Sequence, residues 1–249
     1  MERKLGGGPV ILVTILLAGL GFFLRRSQLK TAFDAIGLIP GSKMTLIWVA
    51  LFVVLLFAAI SFLLRKRKKY QALSSIRMLP MVGGCLAGVL LLAGSVLTLL
   101  NMELKDDLFV GLGGVVAALC WIAVSVLRHR GTKAHAALYL LPALFLVVDL
   151  VCRFRIWTRD PVILDYCFDL FALIASMCAL IHLSSYCFDQ GGRRVTVFFS
   201  LCGVFFSAAA MAGASAAVLL GYLGVSVWLL VQVWLLLRPM PRKPRGEEE

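Results

Sequence analysis

Apolar positions in this chain come in long unbroken runs separated by short clusters of charge, with no two-residue alternation and no narrow amphipathic stripe. The runs cover residues 9–24, 44–64, 78–100, 108–127, 136–152 and 162–183, and a last one extends over 195–237. A bilayer core about 30 Å thick is crossed by about 20 residues of helix, so each of the first six runs is close to span length. The last, about 43 residues long, would make a helix about twice the membrane thickness. It is predicted to fold back on itself at Ala212, Gly213, Ala214, Ser215 and Ala216, giving spans over 195–213 and 217–237. The expected fold is all-α: a polytopic integral membrane helix bundle of about eight transmembrane helices, or seven on the alternative reading of the last run. One transmembrane domain over 1–249 is expected, with residues 238–249 as a basic and acidic tail.

Composition narrows the class further. Of 249 residues, 61% are hydrophobic and only 15% charged, with a mean hydropathy of +0.95. Soluble domains carry about 25% charged residues, and a globule of this size still exposes much of its surface to solvent. A water-soluble core, intrinsic disorder and a small disulfide scaffold are thereby excluded. The seven cysteines lie mostly inside apolar runs without a CxxC pair, so they read as packing residues.

The net charge of +12 points to lipid, because the basic residues sit between apolar runs and no aromatic-interleaved basic surface suggests nucleic acid. Placing the N-terminus inside puts about 17 Lys and Arg on the cytoplasmic side and about 8 on the other. Both termini are therefore expected in the cytoplasm, with the chain in the cytoplasmic (inner) membrane. The densest run, Arg65, Lys66, Arg67, Lys68 and Lys69, reads as a topology anchor, with contact to anionic lipid headgroups as the functional alternative. Arg25 and Arg26 follow the first run with no small-residue cleavage pattern, so that run is expected to be a retained span. Residues 27–43 are expected to lie along the outer headgroups.

Ionisable residues inside hydrocarbon ask for an explanation. On these boundaries the first four runs hold none, whereas the fifth and sixth contribute Asp149, Asp165, Asp169 and His182. Arg153, Arg155, Arg159 and Asp160 lie on the connection between them. Asp149 and Arg153 are four apart with the acid first, a favourable helical ion pair, and Asp165 and Asp169 share a helix face. On one reading the arginines neutralise the aspartates and pin a helical hairpin. On the other, Asp149, Arg153, Asp165 and Asp169 form a ligand- or proton-binding site, since two carboxylates in a low dielectric resist ionising together.

The DxxxD spacing lacks the further acids that Mg²⁺-diphosphate chemistry needs. His182 faces away from Asp169, and no nucleophile elbow, HExxH or phosphate loop occurs. Catalytic residues, metal ligands and cofactors are therefore not expected. The leading functional expectation is a non-catalytic, transport-associated or partner-binding subunit in contact with the bilayer and with another membrane or ATPase subunit. A proton- or ion-coupled small-molecule carrier comes second, and a membrane enzyme acting on a lipid third.

Overall fold

In lipid every backbone N–H and C=O must be satisfied within the segment, and long apolar runs meet that demand as helices. The computed structural model describes residues 7–31, 33–34, 37–38, 45–64, 70, 73, 78–102, 105–157 and 166–238. It contains the eight-helix bundle: α1 Gly7–Thr31, α2 Thr45–Phe62, α3 Met78–Leu100, α4 Lys105–His129, α5 Ala137–Trp157, α6 Cys167–Ser184, α7 Arg193–Ala210 and α8 Ala216–Leu237. All eight are long and apolar enough to cross a membrane. A two-residue ladder after α1 pairs Phe33 with Leu38 and Asp34 with Gly37.

Helices α3 to α8 follow one another round a ring that closes where α8 packs on α3, and α1 and α2 lean on the outer side of α7. Being enclosed by four neighbours, α7 buries most of its length, with Val197, Leu201 and Phe205 fully covered. By contrast α2 buries the single stripe Leu46, Ala50, Val53, Phe57 and Ser61. On its outer side Trp48 and Phe52 are more than half exposed, as are Leu16, Phe23, Leu86 and Phe109 on other helices. So broad an apolar exterior is stable only against lipid.

Small residues let the ring close. A Cβ on Gly94 of α3 would sit 2.7 Å from the Ala217 carbonyl oxygen, and one on Gly224 of α8 would sit 2.8 Å from that of Ala87. Gly84 faces Ser125 and Trp228, and Gly88 faces Ala118 and Ile122, so the GxxxG of α3 packs within the chain.

Several boundaries differ from the sequence reading; α5 runs on to Trp157, so Arg153 and Arg155, expected on the connection, lie in the helix. Helix α1 continues through Ser27 to Thr31 and carries a buried Arg25, hydrogen-bonded to Gln28 at 2.9 Å, so the start of the first connection is helical. Helix α4 starts at Lys105 and ends at His129, taking Asp106, Asp107 and Arg128 into the helix. For α1 and α4 the turns beyond the apolar run are held by packing and hydrogen bonds that hydropathy does not register. The chain reverses through a 3₁₀ turn at Met211–Gly213 and the extended residues Ala214 and Ser215.

The connections α2–α3, α4–α5 and α6–α7 meet at one end of the bundle. There Asp189 accepts a 2.7 Å hydrogen bond from the Tyr70 backbone N–H and pairs with Lys133 at 3.1 Å. Tyr70 in turn accepts the Ala134 N–H at 2.8 Å, and Arg194 donates to the Leu64 carbonyl at 2.7 Å.

Candidate functional site

The opposite end is organised by Arg153, near the C-terminal end of α5. One helical turn separates it from Asp149, and its Nε donates to Asp149 Oδ1 at 2.7 Å, so the sequence-local pair is formed. Its Nη1 lies 3.8 Å from Asp169 Oδ1 on α6 and 3.4 Å from the Tyr222 hydroxyl on α8. Tyr222 donates to Asp169 Oδ1 at 2.8 Å, and the guanidinium sits 5.4 Å from the centre of the Tyr222 ring. One cation is thus shared between two carboxylates, and a phenol from a third helix closes the set. Asp149 and Tyr222 are buried, at 4% and 3% exposed.

Asp149, Arg153 and Tyr222 line a cavity of about 40 Å³ inside the ring, space for roughly two or three water molecules. Ser95 and Thr98 of α3 share its wall. Each hydroxyl donates to a carbonyl one turn back, Ser95 to Leu91 at 2.8 Å and Thr98 to Gly94 at 3.1 Å. Their donors are spent, which leaves oxygen lone pairs as acceptors. The rest of the lining is apolar, with Phe145 and Leu173 among it. Asp149 and Asp169 face Arg153, with the buried Arg25 over the neighbouring Phe168 ring at 5.1 Å as a second cation near Asp169; with the added acceptors this makes a polar site suited to a proton or ordered water.

Of the residues singled out in the sequence, the structure brings together Asp149, Arg153 and Asp169. Asp165 lies outside the described residues, as do Arg159, Asp160 and the basic run Arg65, Lys66, Arg67, Lys68 and Lys69. Arg155 does not join the cluster: its Nη1 contacts both oxygens of Asp106 on α4, at 3.1 and 3.2 Å. Two positions on from Arg153, it projects from the other side of the helix. His182 stacks on Phe199 at 5.8 Å, away from the aspartates. Among the described residues no three His, Cys, Asp or Glu side chains converge as a metal site would require.

Sequence reasoning missed Tyr222, a lone hydroxyl in an otherwise apolar run. A tyrosine well inside a span needs a hydrogen-bond partner, and that was the available signal. Arg128, one residue past the fourth apolar run, is likewise buried at 5% exposed and bonded to Tyr139 and Gln232.

The ring of span-length helices and its apolar exterior define a multi-pass membrane protein. No family model, curated protein or solved structure matches the chain.

Proposed function

We propose that the chain is a proton- or ion-coupled carrier of a small molecule, with Asp149, Arg153, Asp169 and Tyr222 as its exchange site. One observation carries this reading: the Arg153 guanidinium, on the wall of a water-sized cavity between membrane-spanning helices together with Asp149, also reaches toward Asp169 on the next helix. Arg153 is spent chiefly on Asp149, and Asp169, held by Tyr222, a longer contact to Arg153 and the field of the buried Arg25, is the acid that takes up and releases one further positive charge. A proton or small cation on Asp169 supplies it and leaves Arg153 to Asp149. Its departure draws the guanidinium back toward α6 and strains the α5–α6–α8 junction. Exchange is thereby linked to helix packing. Asp165, four residues before Asp169, is proposed as a further acid of the same site.

A transport-associated subunit remains the second reading, favoured by the cavity's size: about 40 Å³ admits water or an ion and excludes a larger solute. In either role we place the chain in a cytoplasmic membrane with both termini inside, on the excess of Lys and Arg in alternate connections. On this orientation Arg65, Lys66, Arg67, Lys68 and Lys69 meet anionic headgroups of the inner leaflet.

The test is reconstitution into vesicles that enclose a pH-sensitive dye, with imposed proton, Na⁺ or K⁺ gradients. Gradient-driven proton movement that Asp169→Asn and Asp149→Asn abolish, while both variants still insert, supports the carrier. Absence of any flux through the unmodified protein, together with a stoichiometric co-purifying partner, overturns it in favour of the subunit.

A further inference from the structure

The second polar cluster lies at the other end of α8. Ten residues separate Gln232 from Tyr222, about 15 Å along the helix. Arg128 donates from Nε and Nη2 to the Tyr139 hydroxyl at 2.9 and 2.6 Å, and from Nη1 to Gln232 Oε1 at 2.7 Å. Three of its five N–H groups are spent in this way, all on neutral acceptors, and two remain. Gln232 is fully buried, and its Nε2 has no protein acceptor. The guanidinium also rests 5.8 Å from the centre of the Trp228 ring, which stacks on Trp121 at 5.0 Å.

The imbalance is one of charge as well as donors. Among the described residues this end carries Arg128, Arg130, Lys133, Arg193, Arg194 and Arg238 against one acid, Asp189. Asp189 is engaged by Tyr70 and Lys133, and no carboxylate pairs with Arg128 among the described residues. A buried cation without a counter-charge is costly in a low dielectric. A water molecule would not cure this, since it brings no charge.

Arg128 and Gln232 line a cavity of about 10 Å³, the space of about one water molecule. Leu73, Met81 and Leu235 supply apolar walls. Surplus N–H donors, one uncompensated guanidinium and apolar walls together describe a site for a small monatomic anion, which is larger than water and is seated with a slight outward shift of the apolar side chains. We propose that this pocket binds a halide, chloride under ordinary conditions, between Arg128 and Gln232. A phosphate or carboxylate group is too large to enter whole.

The experiment uses the full chain in phosphatidylcholine nanodiscs, with thermal unfolding followed by intrinsic fluorescence at constant ionic strength. Replacing gluconate by chloride or bromide is expected to raise the midpoint saturably. Gln232→Glu supplies a built-in counter-charge to Arg128. It is expected to raise the midpoint in gluconate and to weaken the apparent halide affinity at least tenfold. Gln232→Leu is expected to weaken halide affinity without the gain in gluconate. Equal midpoints of the unmodified protein in chloride and gluconate would overturn the proposal. So would a saturable shift given by phosphate, or by phosphatidylglycerol discs, that chloride fails to give, because the donors would then serve an oxyanion.

Discussion

Tyr222 donates its hydroxyl proton to Asp169 across 2.8 Å, joining α8 to α6 at the point where Arg153 of α5 approaches both residues. Three helices that are distant in sequence thus share one hydrogen-bonded node inside the ring. Its stability and its chemistry depend on the same atoms.

Removing that hydroxyl with Tyr222→Phe leaves a largely buried carboxylate short of a donor. The expected cost is about 1–3 kcal/mol, read as a lower unfolding midpoint in detergent micelles. Asp169→Asn keeps an acceptor opposite Tyr222 and should cost less. Equal midpoints for Tyr222→Phe and the unmodified protein would show that the bond contributes nothing.

Arg153→Met strands Asp149, whose side chain is only 6% exposed, and breaking a buried pair from one side costs about 3–5 kcal/mol. Adding Asp149→Leu should recover much of the loss, so a double-mutant cycle ought to give strong coupling. Arg155→Ala is the contrast. Its side chain is 66% exposed against Asp106, and a loss below about 1 kcal/mol is expected.

The closure of α8 on α3 predicts a steep dependence on side-chain size. Gly94→Leu and Gly224→Leu drive atoms into backbone less than 3 Å away, and overpacking of this kind costs about 1–3 kcal/mol or more. Gly8→Ala and Gly19→Ala meet nothing within 4 Å and should be neutral or stabilising by about 0.4–1 kcal/mol. Unfolding midpoints of the four variants would separate the two groups.

At the Arg128 end, Lys133 and Asp189 are 63% and 47% exposed, so Lys133→Ala should cost less than about 1 kcal/mol and lose even that in high salt. Asp189→Ala should cost more, and in a salt-insensitive way. It removes the acceptor of the Tyr70 N–H and puts alanine at a φ of 56°, a left-handed conformation that aspartate tolerates better. Urea titrations at low and high ionic strength would tell the two apart.

Part of the polar site is legible in the amino-acid sequence. The Asp149–Arg153 pair follows from a four-residue spacing on a helix, and the same rule, applied to the two-residue step to Arg155, already sends that side chain elsewhere. Tyr222 and Asp169 are 53 positions apart, and Arg128 and Gln232 are 104 apart. No periodicity links such partners. Arg128 also sits where an apolar run ends, so its charge resembles that of a solvated connection until its neighbours are known.

The amino-acid sequence alone determined the solvent, the helical class and an expectation of about eight spans, because transfer into lipid and the need to satisfy backbone groups act on each segment separately and add along the chain. Which helices touch was decided only by the tertiary structure. The closing of α8 on α3, the enclosure of α7, and the meeting of Arg153 with two acids and a phenol depend on shape complementarity between distant segments. Close packing rewards a fit between surfaces, and that fit becomes a property only when the surfaces are brought together.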